Sequence, residues 1–368
     1  MKKVGVAIVG VGAISGIYLD NITKVFRELE LVGVCDMMTE RAESAAKTYG
    51  CRVYASLEDV LADDNVEMVL NLTRPYEHYT VSKAALLAGK HVYTEKPLGA
   101  TFEEGFELEA LAKSRGLLLG GAPDTFLGAG IQTCRKLIDD DFIGDVIGAS
   151  ASMICRGHES WHPNPEFYYQ NGGGPMLDMG PYYVTALINL MGGVRGVTGV
   201  QKASFPQRVI TAGGPKFGNI VEVEAPTFIM GIMDFESGAT ASIFTTFDVY
   251  YPHQSGLEVY GTKGTLFVPD PNSFGGPVIL FRGEDNVKRE MPLLFDYADN
   301  SRGLGLADMG RAIRSGRVAR ADGQQTLHVL EILTAFEQSH NIQGYYPLKT
   351  KFTRNPAMKN NPTRGILD

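Results

Sequence analysis

The stretch from Val4 to Gly16 constrains this chain more than any other. The mostly apolar run Val4–Val9 leads without a break into Gly10-Val11-Gly12-Ala13-Ile14-Ser15-Gly16. Such a run reads as a buried strand that turns directly into a helix. Only glycine allows the tight turn at Gly10 and the close approach of a pyrophosphate at Gly12. The helix that follows points its N-terminus at that anion. Gly16 comes one place later than the commonest Gly-x-Gly-x-x-Gly spacing requires, and a purely structural turn is the competing reading. Asp36, about twenty positions on at the end of a second apolar run, supports the dinucleotide reading.

A carboxylate at Asp36 would accept hydrogen bonds from ribose hydroxyls and repel a 2'-phosphate. Met37 and Met38 follow, with no Arg or Ser to receive that phosphate. Arg41 falls on the next helix and reads as a solvated charge. The expected cofactor is therefore NAD rather than NADP, held by Gly10, Gly12, Ala13, Ile14, Asp36 and Met37.

The first half of the chain alternates strands and helices. Strands are expected at Val4–Val9, Leu31–Cys35, Val66–Leu72, His91–Thr94 and Leu117–Gly120, and helices at Thr39–Tyr49, Tyr79–Ala88 and Glu103–Ser114. This rhythm implies a parallel sheet with helices on both faces. After residue 125 a helix over Ile131–Ile138 and a strand over Val146–Ile154 lead to an aromatic loop, then to a helix from Gly172 to Met191. Strands follow at Phe228–Phe235, Ala239–Phe247, Gly256–Tyr260, Gly264–Val268 and Val278–Phe281, with Gly-containing hairpin turns. A last helix covers Gln324–Ser339. The fold class is α/β: a Rossmann domain over 1–124, an α+β domain with an open, mostly antiparallel sheet over 125–350, and a polar extended tail over 351–368. A length of 368 residues suits two domains.

A net charge of -8 argues against nucleic-acid binding, which needs basic patches to displace counterions. Cys35, Cys51, Cys134 and Cys155 form no CxxC pair and read as buried free thiols in a reducing compartment. Lys2 and Lys3 before an apolar run superficially resemble a secretory signal. That run is Gly-rich, lacks a small-residue cleavage site and fits a first strand better. No stretch reaches ~20 apolar residues, so no membrane span and a cytoplasmic location are expected.

Thr94-Glu95-Lys96-Pro97 closes the fourth strand at the edge where ligands bind. A lysine in an apolar cleft has its pKa lowered by desolvation, which would suit Lys96 to proton transfer. Pro97 is a candidate cis proline. Asp178 and Tyr182 lie four apart, which places both on one face of the expected helix. Pro181 removes an amide there and predicts a kink.

Taken in order, Gly10-x-Gly12, Asp36, Glu95-Lys96-Pro97 and Gly172-Gly173-Gly174 with Asp178-x-Gly180-x-Tyr182 resemble the Gfo/Idh/MocA oxidoreductase family over nearly the whole chain. Thr73-Arg74-Pro75 with His78, Ala88-Gly89-Lys90-His91-Val92, the segment from Glu258 to Gly264 and the segment from Leu327 to Ile332 fit the same pattern. The resemblance implies hydride transfer on sugars, cyclitols or related alcohols. It makes Lys96 the catalytic lysine, with Asp178 and Tyr182 beside it, and adds Thr73, Arg74, His78, Glu95 and Lys96 to the cofactor contacts. It also implies a homo-oligomer built through the outer face of the second sheet. Two departures stand out. Tyr182 replaces the histidine of many members, as in the glucose–fructose oxidoreductase and dihydrodiol or xylose dehydrogenase branches. Asp124-Thr125-Phe126 replaces an arginine-containing segment.

The loop from Arg156 to Tyr169 is the most individual feature. Its aromatic faces suit a sugar ring or a flat aglycone, while His and Glu can bond hydroxyls. Arg156, His158, Trp161 and His162 join Lys96, Asp178 and Tyr182 as the expected substrate contacts, although Trp161 reads equally well as a loop anchor. Metal binding by His158, Glu159 and His162 is set aside because the spacing is loose. The expected reaction is oxidation of a secondary hydroxyl, perhaps C3 of a glucose unit, free or as a glycoside. Cyclitol or dihydrodiol oxidation and a non-catalytic NAD sensor are the alternatives.

Overall fold

The computed structural model describes residues 2–250, 256–359 and 364–368. Its first lobe contains β1 (Val4–Val9), α1 (Ser15–Lys24), β2 (Leu29–Cys35), α2 (Thr39–Tyr49), β3 (Arg52–Val53), α3 (Leu57–Ala62), β4 (Met68–Asn71), α4 (His78–Leu87), β5 (His91–Thr94), α5 (Phe102–Ser114) and β6 (Leu119–Gly121). The strands form one parallel sheet in the order β3-β2-β1-β4-β5-β6. Every residue of β1 is buried, as a central parallel strand with helices on both faces requires. The strand order reverses between β1 and β4. That switch point opens a crevice at the carboxyl ends of the strands, flanked by the Gly10 turn and Thr73.

The second lobe contains α6 (Ala129–Asp139), β7 (Val146–Ile154), α7 (Gly174–Asp178), α8 (Gly180–Met191), β8 (Val194–Lys202), β9 (Gln207–Val209), β10 (Ile220–Glu222), β11 (Phe228–Phe235), β12 (Thr240–Thr246), β13 (Gly256–Gly261), β14 (Gly264–Val268), β15 (Val278–Arg282), β16 (Val287–Met291), α9 (Leu304–Ser315), α10 (Gly323–Ile342) and β17 (Tyr346–Pro347). Nine strands form a sheet in the order β16-β15-β14-β13-β7-β12-β11-β8-β17, antiparallel except between β7 and β12. All of α8 is buried between this sheet and α10. In turn α10 packs on α5 and β6 as well as on β8, so it belongs to the cores of both lobes. Among the described residues no helix is long and apolar enough to cross a membrane.

Three expectations need correction. The helix expected from Gly172 to Met191 is two helices that meet at Met179, not one kinked rod. Pro181 sits in the first turn of α8, where its missing N–H costs nothing, and the Leu177 carbonyl loses its helical donor. The helix α9 has no counterpart among the expected elements, because Gly305 and Gly310 lower its propensity. Packing requires both: a Cβ on Gly305 would lie 2.3 Å from Tyr93 Oη, and one on Gly310 would lie 2.7 Å from Leu29 Cδ2. The tail is irregular but not merely polar. Phe352, Met358 and Leu367 are buried, and Arg320 binds both side-chain oxygens of Asp368. Residues 360–363 of the tail lie outside the described residues.

Candidate active site

The Gly-rich turn meets the steric demands of a dinucleotide. Gly10 has φ +98°, and a Cβ there would lie 2.6 Å from the Leu72 carbonyl oxygen. A Cβ on Gly12 would meet nothing within 4 Å, which leaves open space beside the turn. No side chain caps the N-terminus of α1 and no acidic residue occupies its first turn, which leaves the amides after Ser15 N, itself turned back on the Gly12 carbonyl, to an anion. Asp36 Oδ2 accepts from Val11 N at 2.6 Å and Oδ1 from Met38 N at 2.8 Å, tying the turn to the end of β2. Met37 is 94% exposed, and Ala13 and Ile14 face outward beside it.

The remaining first-lobe candidates fall into two groups. Arg74 is exposed on the wall of the interlobe cleft and makes no ion pair among the described residues. The others are committed internally. Thr73 Oγ1 donates to Asn71 Oδ1 at 2.6 Å. His78 is buried, with its ring nitrogens 2.6 Å from the Pro97 carbonyl and 3.1 Å from the Thr73 carbonyl, and burial lowers its pKa. It therefore braces the cis Lys96-Pro97 turn against the β4 end rather than facing a cofactor. Glu95 accepts from Tyr18 Oη at 2.8 Å and from Lys96 N at 2.9 Å.

Lys96, Asp178 and Tyr182 converge although they come from three elements. Lys96 Nζ donates to the Asp178 main-chain oxygen at 2.6 Å and to Oδ1 at 3.1 Å, and it lies 5.4 Å from the centre of the Tyr182 ring. The α7–α8 break makes this possible, with Asp178 closing one helix and Tyr182 opening the next. His158 Nε2 lies 3.2 Å from Asp178 Oδ2, so one carboxylate joins the ammonium and the imidazole. Lys96 does not titrate low, as desolvation alone predicted. Burial does press its pKa down, but the charges of Asp178, Tyr182 and Glu95 outweigh it and hold the ammonium above its usual range. For Asp178 burial raises the pKa, and Lys96 and His158 reverse this, leaving it lowered to about 2. The resting pair is thus an ammonium and a carboxylate.

The site lies in a cleft of about 770 Å³ between the lobes, lined by Lys96, Asp178, Arg74, Tyr76, Phe167 and Tyr168 among others. Of the loop residues proposed as substrate contacts, His162 lines this cleft and His158 reaches Asp178. Trp161 and Arg156 are not on its wall. Trp161 is 60% exposed, and its ring meets those of His158 and His162. Arg156 stacks on Phe205 and Tyr250. Glu159 is a buried structural acid that accepts from Arg208 and from the Tyr169 hydroxyl. Among the described residues no group of three potential metal ligands forms.

Several site residues were not anticipated. Arg208, almost fully buried, binds Glu159, Asp248 and the carbonyls of Arg156 and Phe247, and so anchors the start of the aromatic loop to the end of β12. Lys216, on the β9–β10 connection, pairs with Glu166 at the cleft wall. Tyr76 crosses from the first lobe and donates to the Asn171 carbonyl at 2.5 Å. None carries a motif; each matters through a partner distant in sequence.

Two family models match the chain: an oxidoreductase family with an NAD-binding Rossmann fold over residues 4–121, and the Gfo/Idh/MocA C-terminal domain over residues 131–267. The chain is 29% identical over 203 residues to a D-xylose dehydrogenase of Paenarthrobacter nicotinovorans, covering 54% of this chain and 52% of that one. The chain spans about half the length of this and several other curated relatives it matches. A D-glucoside 3-dehydrogenase of Escherichia coli is 26% identical over 349 residues, covering 91% of this chain and 94% of the relative. Among solved structures, levoglucosan dehydrogenase in complex with NADH and levoglucosan superposes with a TM-score of 0.82 at 17% identity, covering 95% of this chain and all of that one; it speaks for the fold. Matched in both lobes by models of one family, this chain belongs to the Gfo/Idh/MocA oxidoreductases.

Proposed function

We propose that this protein interconverts a secondary hydroxyl and a ketone on a sugar or glycoside, with C3 of a glucosyl unit the favoured position and NAD the hydride carrier. The observation that carries this reading is the ion pair of Lys96 and Asp178 on the wall of the cleft, with the buried Tyr182 ring against the Lys96 ammonium. The open space at Gly12 and the uncapped α1 suit a pyrophosphate. Asp36 suits ribose hydroxyls and disfavours a 2'-phosphate. When bound, NAD would accept the hydride; the chain's own part is orientation and proton management. Lys96, as an ammonium, donates a hydrogen bond to the substrate oxygen and stabilises negative charge there. Asp178 keeps Lys96 charged and aimed. Phe167 and Tyr168 offer apolar faces to a ring, and His162 offers a polar edge.

The test incubates the protein with NAD and a panel of hexoses, glycosides, inositols and short polyols. It follows both NADH absorbance and the ketone product by mass spectrometry, because a cofactor that stays bound would hide bulk NADH. Ketone from glycosides or hexoses is expected. Turnover of inositols or short polyols alone would overturn the substrate reading.

Assembly is part of the same proposal. Val200, Met230 and Ile232 are exposed on the face of the large sheet opposite α8 and α10, with Phe228 and Phe244 half-buried beside them. An apolar face of this kind calls for cover by a second copy. A monomer at micromolar concentration by light scattering would refute it.

A further inference from the structure

His158 reaches Asp178 from the aromatic loop, and four features aim it there. Gly157 turns the chain with φ +106°, and a Cβ at that position would strike Tyr169 Oη and Glu159 Oε2. His158 N donates to Tyr169 Oη at 3.2 Å, and that hydroxyl in turn donates to Glu159. Glu159 is held by the almost fully buried Arg208, whose Nη1 donates to Glu159 Oε1 and to the Arg156 carbonyl, both at 3.1 Å. The imidazole is packed against Tyr168 and Phe247, with ring centres 4.2 Å and 4.6 Å away. Only 13% of the side chain is exposed, and Tyr168 rather than His158 lines the cleft.

The two carboxylate oxygens of Asp178 have different partners. Oδ1 accepts from Lys96 Nζ at 3.1 Å, and Oδ2 faces His158 Nε2 at 3.2 Å. An ionised carboxylate only accepts, so Nε2 is the ring nitrogen that carries the hydrogen. The last side-chain torsion of an aspartate is broad, and a carboxylate bonded through one oxygen can turn about it. Bonds to both oxygens remove that freedom. The main chain gives less restraint here, because Asp178 closes the short helix α7.

We propose that His158 is a positioning residue for the Lys96–Asp178 pair, and that the Arg208–Glu159–Tyr169 network serves to present it. Its part in turnover rests on the alcohol–ketone reading above. No proton or electron passes through His158 in this role. The imidazole locks the carboxylate, the carboxylate aims the ammonium, and the ammonium meets the substrate oxygen. The buried ion cluster beneath fixes one geometry of the loop rather than adding much stability. The wall that faces the ligand is thereby tied to the charged pair, through Tyr168 on one side of the imidazole and Asp178 on the other.

The first measurement needs neither substrate nor cofactor. Acetic anhydride at limiting concentration acylates lysines as free amines, and peptide mass spectrometry reads the rate at Lys96 against the other lysines of the full chain. His158→Phe keeps an aromatic ring in place and removes the donor. It should label Lys96 about threefold faster or more, because a carboxylate that can turn away holds the ammonium less well. His158→Gln, whose amide carries a donor near the place of Nε2, should restore the slow rate. With a substrate in hand, His158→Phe should lower kcat about tenfold with KM little changed, and His158→Gln should recover most of it. Added to Asp178→Asn, His158→Phe should lower kcat little further, since both act through one carboxylate. Should His158→Phe fail to fold, Tyr169→Phe, which removes the hydroxyl that His158 N bonds, should give a smaller rise in labelling. Faster labelling without ketone from any hexose or glycoside sinks the substrate reading and leaves His158 in its role. Lys96 labelling that stays put or slows when His158 or its anchor is changed, or an additive loss of kcat in the double variant, overturns the proposal.

Discussion

The two walls of the cleft are built on different principles. The first-lobe wall is mostly backbone: a positive-φ glycine, an open glycine, an uncapped helix and one carboxylate that ties two turns together. The second-lobe wall is mostly side chain: an aromatic loop held from beneath by buried Arg208 with Glu159 and Asp248, and from the side by Lys216 with Glu166. A backbone wall suits a ligand that does not vary, because its geometry follows from local conformational rules. A side-chain wall can change its ligand by changing its loop. The proposed chemistry sits on the seam, where Lys96 of one lobe meets Asp178 and Tyr182 of the other.

The largest expected effect falls on the seam. Lys96→Met should cut turnover by ~100-fold or more while NAD still binds, since the substitution leaves the Gly10 turn alone. Turnover and binding constants measured together check this. Equal loss of both would mean that the two walls are not separable. Arg74→Ala is not expected to share that loss of turnover.

The next effect concerns a cost hidden behind the first wall. Asp124 is buried, and burial outweighs its bonds to Gly303 N and Gly305 N, raising its pKa to about 6. A carboxyl that holds its proton more tightly when folded loses stability as pH rises from its unfolded value, about 4, through about 6, and the penalty persists above. Asp124→Asn keeps the acceptor oxygen. It should stabilise the protein by about 2 kcal/mol at pH 8 and by little at pH 4. Thermal melts at both values test the sign, and destabilisation at pH 8 would show the charge to be favourable.

Cofactor preference comes third. Asp36 should favour NAD over NADP about tenfold, or about 1.4 kcal/mol, and Asp36→Ala should narrow that gap. Fluorescence titration of both dinucleotides measures it. Equal affinities in the wild type would mean that Asp36 serves only its two backbone partners.

The smallest effect separates true wall from rim on the second lobe. Phe167 lines the cleft, whereas Trp161 stands outside it. Phe167→Ala should raise KM for glycosides several-fold, on the order of 1 kcal/mol, and Trp161→Ala by about twofold or less. The reverse order would place the ligand across the loop's outer surface.

The sequence alone determined what depends on neighbours along the chain. Strands β1, β5, β7, β11 and β14 and helix α2 fall where their apolar patterns end them, and Gly10, Gly12 and Asp36 were legible because turn geometry is local. Lys96, Asp178 and Tyr182 were legible through a motif. Only the tertiary structure decided what these groups are. A lysine read as desolvated is held charged, because Asp178 reaches it from the other lobe. A histidine read as a cofactor contact braces a turn. The tryptophan of the aromatic loop is largely exposed, while Arg208, which carries no motif, is mounted inside the site's framework. The physical reason is the same in each case. Charge state and role follow from electric field and burial at a point in space, and the groups that set them lie dozens to hundreds of residues away along the chain.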